Sequence, residues 1–520
     1  MREIGAELNQ IMHPEAMSFA ASPRRPFAVS LRRCVCGAGK LRTFVLTGLP
    51  MAALSCSVGP NYHRPSAPVP LVYKEYKGWK AATPNDTINP GVWWSIFRDP
   101  TLDSLEHQVE ISNQNIKQAE AAYAQAKAVV HEQQSSFFPS LSVTPQVQRQ
   151  KSGGNGSGGF NSEGITSYSL EGTATWEPDI WGKIRRTVES SVASAQVSAA
   201  QLAAAKLSAQ AQLATDYFQL RYADALRQLL ADTVVGYEHS LKITQNQYAV
   251  GTAARSDVIN AQAQLLAAQA AEINVGVQRG QDEHAIALLV GKAPGDVSIP
   301  PAALAERVPI VPTAVPSSLL ERRPDIAEAE RQMKEENALI GVQIAAYFPT
   351  VNLSAVFGYA ANPGTALFSS SSEVWSLMAS ASQSVLTGGQ RSAAVAAAHA
   401  AYDQSVANYR EIVLAAFQNV EDELVALRVL GEQIGVQRDA VEKAQQAVQI
   451  SLNEYQAGTI AYTTVITAQV TLLNDQETAL QVQEQRLIAS VALVQALGGG
   501  WDTGQLPTTK ELQKLHLIPD

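Results

Sequence analysis

The run Phe138-Pro139-Ser140-Leu141-Ser142-Val143-Thr144-Pro145-Gln146-Val147-Gln148 returns in altered form as Phe348-Pro349-Thr350-Val351-Asn352-Leu353-Ser354-Ala355-Val356-Phe357, displaced by 210 positions. In both places a Phe-Pro pair closes a helical stretch. Apolar side chains then alternate with polar or small ones, the period-two signature of a strand with two unlike faces. Asn115-Ile116 answers Asp325-Ile326 at the same offset. Beyond the strands the offset becomes 207: Gly182 answers Gly389, Tyr248-Ala249-Val250-Gly251-Thr252 answers Tyr455-Gln456-Ala457-Gly458-Thr459, and Gly291 answers Gly498. Ordered matches with one small gap define two copies of a single unit, 93–295 and 317–500. A connector, 296–316, joins them and carries Pro300, Pro301, Pro312 and Pro316.

Each copy passes through the same elements. A first helix is expected over 101–136 and over 324–346, the second opening with Pro324, which suits a first helical turn because its missing amide hydrogen has no partner there. A strand follows, then a break (the glycine-rich stretch from Gly153 to Gly159, or Asn362-Pro363-Gly364), then a second alternating run. That run places Tyr168, Leu170, Ala174 and Trp176 on one face in copy one. Trp375, Leu377, Ala379 and Ala381 do so in copy two. Each copy therefore carries one hairpin of strands about ten residues long. Proline-free tracts at 183–249 and 391–456 then predict helices of ~100 Å at 1.5 Å per residue. Turns at Gly251 and Gly458 reverse the chain into further long helices ending near Gly291 and Gly498.

Ten-residue strands with one apolar and one polar face meet the demand of a membrane β-barrel, and Trp176, Phe357, Tyr359 and Trp375 suit interfacial girdles. Four strands cannot close a barrel, and an open sheet would leave backbone groups unpaired in lipid. Other chains must complete it, and twelve strands from three copies would suffice.

The N-terminus reads as an export leader, 1–55. Arg32, Arg33, Lys40 and Arg42 precede an apolar run from Phe44 to Ser55 that is too short to cross a bilayer as a helix. Ala53-Leu54-Ser55-Cys56 resembles a lipobox, with Ala53 where leucine is usual, and makes Cys56 the lipidation candidate; an ordinary signal peptide is the plainer alternative. The three cysteines, Cys34, Cys36 and Cys56, all lie in the first 56 residues, so the body folds without internal disulfides. A formal net charge of −9 argues against a nucleic-acid partner.

Four ordered motifs resemble a known family. Ser57-Val58-Gly59-Pro60-Asn61-Tyr62 with Arg64-Pro65, Trp93-Trp94-Ser95-Ile96-Phe97-Arg98-Asp99-Pro100, Trp176-Glu177-Pro178-Asp179-Ile180-Trp181-Gly182 and Leu319-Leu320-Glu321-Arg322-Arg323-Pro324-Asp325-Ile326 are similar to the markers of outer-membrane efflux lipoproteins of the OprM/NodT branch, relatives of TolC. The resemblance implies a mainly α fold with membrane β-structure. In it a duplicated protomer contributes four strands to a twelve-stranded trimeric outer-membrane barrel, and long helices form a barrel through the periplasm. It also implies an equatorial belt built from 56–92, the connector and the tail 501–520. Implied partners are two further copies, a periplasmic adaptor, an inner-membrane pump of the resistance-nodulation-division type and outer-membrane lipid. No cofactor or metal is implied, and such ducts catalyse nothing. In that family the periplasmic tip closes near the turns after Tyr-x-x-Gly, so Arg255, Asp257, Tyr455, Thr464 and Thr467 are the gate candidates here. Family members often carry aspartate at the place of Thr467 and arginine at that of Val470. Their absence shifts the expected lock to Arg255 and Asp257.

Two other classes compete. A periplasmic adaptor also pairs a helical hairpin with β-structure, but it lacks the duplication. A secreted enzyme would need a constellation this chain does not show: the 8 histidines are scattered, with no His-Glu-x-x-His, no Gly-x-Ser-x-Gly and no phosphate loop.

Overall fold

A computed structural model describes residues 57–70, 72–75, 92–151, 164–311, 319–362 and 364–514. Copy one runs through helices α1 (Pro100–Ser112) and α2 (Gln114–Ser135), strands β1 (Ser140–Gln150) and β2 (Ile165–Trp176), and helices α3 (Lys183–Ala249) and α4 (Arg255–Leu289). Copy two repeats the series with α5 (Leu319–Arg322), α6 (Pro324–Ala345), β3 (Thr350–Ala361), β4 (Glu373–Ser382), α7 (Gln390–Gln456) and α8 (Tyr462–Ala496), and α9 (Thr509–Leu512) follows. Helices α3 and α7 are each 67 residues long, hence ~100 Å.

The helix expected over 101–136 is two helices, broken at Asn113. Its extended backbone (ψ 126°) ends α1, and its side-chain oxygen then accepts from the amides of Asn115 (2.9 Å) and Ile116 (3.1 Å) to cap α2. The amide nitrogen of the same side chain donates to Leu289 O at 2.8 Å, satisfying a carbonyl in the last turn of α4. One asparagine thus joins the end of α4 to the start of α2. Copy two makes the equivalent joint differently. Arg323 donates to Ala496 O (3.0 Å) at the end of α8 and pairs with Asp325 (2.6 Å), which accepts from the Ile326 amide at the start of α6. Gly291 and Gly498 make the joints possible: both have positive φ (68° and 91°), and a Cβ there would collide with the carbonyl oxygens of Ser112 and Arg322.

The joints turn four helices into two long composite columns, α4 with α2 and α8 with α6. Helix α3 packs against both columns, and α7 packs against the second, giving the order α4/α2, α3, α8/α6, α7. The outermost columns of one chain are therefore α4/α2 and α7. The main core gathers Trp93, Trp94, Tyr217, Phe218, Tyr409 and Leu487 with Ile299, Leu304 and Val311 of the connector. A buried carboxylate fastens that connector: Asp224 accepts from Arg221 (3.0 Å), Arg279 (2.7 Å) and the Ala302 amide (3.2 Å).

The strands form one antiparallel sheet in the order β1-β2-β3-β4. The two expected hairpins are present, and β2 also pairs with β3, from Tyr168↔Ala361 to Trp176↔Leu353. The hairpin registers obey the sequence offsets. Leu141↔Ala174 in copy one becomes Val351↔Ala381 in copy two, the first partner moved by 210 and the second by 207.

Candidate functional site

Two regions carry the functional geometry, the sheet and the far tip of the long helices. Pairing across the sheet aligns Val143, Gly172, Phe357 and Trp375 in one row and Pro145, Leu170, Tyr359 and Glu373 in the next. The same face holds Leu141, Val147 and Leu377, with exposures of 77%, 67% and 77%. The opposite face shows Ser142, Thr144, Gln146, Glu171, Thr173, Ser354 and Ser376. Leaving each large apolar side chain in water forgoes ~1.5–3 kcal/mol, so this face is built for hydrocarbon, while the other suits a wet lumen. Expected girdle residues sit at the two ends. Trp176 donates to Phe137 O (3.0 Å) beside the helices, and the Tyr359 ring meets Phe368 (5.7 Å) at the far end.

The helix-side end of the sheet is also where the N-terminal segment docks. Trp181 stacks on Phe348 at 4.8 Å and donates to Pro349 O (2.8 Å), clamping the strand ends. The Val58 amide donates to Trp181 O (3.2 Å), and Arg186 holds Asn61 Oδ1 (3.0 Å). Ser57 lies against Gly182 at the foot of the sheet. Cys56 itself lies outside the described residues.

At the tip, the turn between α3 and α4 meets the turn between α7 and α8. Tyr455 is buried and packs against Tyr462 (ring centroids 5.1 Å) with Ala261 and Val465 around them. Gln247 donates to Tyr455 O at 3.0 Å, and two turns higher Gln469 donates to the Ser240 hydroxyl at 2.7 Å, tying one hairpin to the other. Burial raises the Tyr455 phenol above its ordinary value, and burial first, then the neighbouring Tyr455, pushes Tyr462 up to about 12; both stay neutral and act as packing groups.

The gate candidates divide accordingly. Tyr455 is inside the tip contact, and half-buried Asp257 lies close enough to bias both tyrosines. Arg255, Thr464 and Thr467 are exposed, and the Thr467 hydroxyl donates back to Thr463 O (2.9 Å) in its own helix. Among the described residues neither Arg255 nor Asp257 forms an ion pair within the chain. Sequence reasoning missed Gln247, Ser240, Tyr462 and Gln469. The signal available was weak, a glutamine one residue before Tyr248 in a helix rich in glutamine.

With this geometry in hand, known proteins provide the comparison. The family described as outer membrane efflux protein matches residues 105–292 and 315–499, the two copies found above. The probable efflux pump outer membrane protein TtgC of Pseudomonas putida is 30% identical over 456 residues, covering 86% of this chain and 94% of that protein. Outer membrane protein OprJ of Pseudomonas aeruginosa is 28% identical, covering 87% and 94%. Among solved structures the outer-membrane channel OprN aligns with a TM-score of 0.80 and 27% identity, over 86% of this chain and all of that one. A duplicated unit, a four-stranded sheet with one apolar face, long helices joined into columns and these relatives lead to one conclusion: the chain belongs to the outer membrane efflux protein family.

Proposed function

We propose that three copies of this chain close into one duct that receives drugs or other small molecules from a periplasmic adaptor and an inner-membrane pump of the resistance-nodulation-division type. The duct conducts them passively and catalyses no reaction. The observation that carries this reading is that both edges of the protomer are unfinished in both layers. Strands β1 and β4 are the open edges of the sheet. Columns α4/α2 and α7 are the open edges of the helical wall. Both helical edges carry exposed apolar stripes at seven-residue spacing: Ile259, Leu266 and Ile273 on α4 (54%, 64% and 78% exposed), and Val429, Val436 and, two heptads on, Ile450 on α7 (47%, 72% and 56%). Four strands and four columns per chain give twelve of each in a trimer, enough for a barrel with an open lumen.

A lipid on Cys56 would enter the bilayer at the level of the sheet's foot, because the next residue, Ser57, lies against Gly182 there. The gate is assigned to the tip, where Tyr455 and Asp257 lie at the contact between hairpins and the exposed Arg255, Thr464 and Thr467 are free to meet neighbouring copies. Planar-bilayer recording tests both parts. The purified protein should give small discrete conductance steps, and the Arg255→Ala/Asp257→Ala variant larger ones. Equal steps would remove those residues from the gate. Absence of conductance from both would remove the duct.

A further inference from the structure

The seam between copies has no strand partner within one chain, yet the internal duplication specifies it. Within the protomer, β2 of copy one meets β3 of copy two. In a closed ring the equivalent contact is β4 of one protomer against β1 of the next, since β4 corresponds to β2 and β1 to β3. The two hairpins already show that pairing follows the offsets of 207 and 210, because Leu141↔Ala174 maps onto the observed Val351↔Ala381. Applying the same rule to Trp176↔Leu353 carries Trp176 forward by 207 to Gln383 and Leu353 back by 210 to Val143.

We infer that β4 pairs with β1 of the neighbouring copy in one specified register, Ala381 opposite Pro145 and Ala379 opposite Val147. This rests on the closed-duct reading and sharpens it. Parity supports it independently: Ala379 and Ala381 share a face with Leu377, and Pro145 and Val147 share one with Leu141, so the register joins apolar face to apolar face. A one-residue slip would put Ser380 in hydrocarbon beside Val147.

The linkers at the foot of the sheet agree. Inside the protomer, Trp181 covers Phe348. The matching pair across the seam begins with Phe138, which is 61% exposed in the single chain. Gly388 stands where Trp181 has its counterpart, but Val385 and Leu386, exposed by 93% and 90%, lie within three residues of it. A second copy supplies the cover that Phe138 lacks, through these two side chains.

Cysteine pairs read the register directly, because a disulfide needs Cα atoms about 4.4–6.8 Å apart. The full-length protein carrying Ala379→Cys with Val147→Cys is compared with Ala379→Cys/Pro145→Cys and Ala379→Cys/Arg149→Cys, which keep the face but slip by two residues. After mild oxidation in the outer membrane, the first pair should yield about tenfold more covalent trimer than either slipped pair. Native mass spectrometry of the unmodified protein runs alongside. Trimers together with preferential linkage in a slipped pair, or in none, overturn the register alone. Monomers overturn the closed duct, and the register with it.

Discussion

Asn113 holds two helices with one side chain, donating to α4 and accepting from α2. Replacing it with alanine removes a cap and leaves the part-buried Leu289 carbonyl without this donor, so Asn113→Ala should destabilise the protein by ~1–3 kcal/mol, read as an earlier helical melt by circular dichroism. The break it makes was encoded, though not where a single-copy reading looks: Pro324 begins α6, and 210 positions earlier stands Gln114, the first residue of α2. Glu106 was not legible at all, because a glutamate within an ordinary helical stretch carries no local sign that other parts of the chain will bury it. The Glu106 carboxylate is wholly buried with no hydrogen-bond partner for either oxygen. Burial first, and Asp103 second, raise it from an ordinary 4.5 to about 9. The folded state therefore holds a proton that the unfolded chain releases across that interval, and stability falls as pH rises from 4.5 towards 9. Glu106→Gln should flatten this dependence and raise the melting temperature at the alkaline end; an unchanged pH profile would show that Glu106 is not its source.

Among the elements, the strands and long helices were readable because each obeys a single period over a long run, and the Phe-Pro and Gly marks that bound them occur twice. The lateral order of the helical columns was not readable. Alanine-rich helices bury small side chains on several faces, so no single apolar stripe says which neighbour each one meets. Three-dimensional packing settles the order and leaves the stripes on α4 and α7 uncovered. Leu266, 64% exposed, tests what they are for. A lysine there sits comfortably in an isolated chain but loses several kcal/mol when pressed into an apolar seam. Leu266→Lys should leave helical content intact and reduce the fraction of assembled trimer on native gels. Wild-type assembly would show that this face meets water in the finished particle. At the sheet's foot, Trp181→Ala removes a stacked ring and its hydrogen bond, and should lower the amount of folded protein in the membrane fraction.

At the scale of the whole molecule, the duplication and the insufficiency of four strands were visible in the sequence, and both survive in the structure. The proposed gate region was less legible, because its tip contact joins Gln247 and Tyr455, side chain and backbone 208 residues apart in the chain. The protein is an outer-membrane efflux channel protein with a long periplasmic helical part, and its open edges are the basis of the proposed assembly. Electron imaging of the protein extracted from outer membranes in mild detergent tests that account most directly, since symmetry, length and lumen are seen together. A hollow, threefold particle longer than ~100 Å, with a β-barrel at one end and a narrowed helical tip at the other, is the predicted result. A compact monomer, or a particle whose sheet edges β1 and β4 stay unpaired, would contradict it.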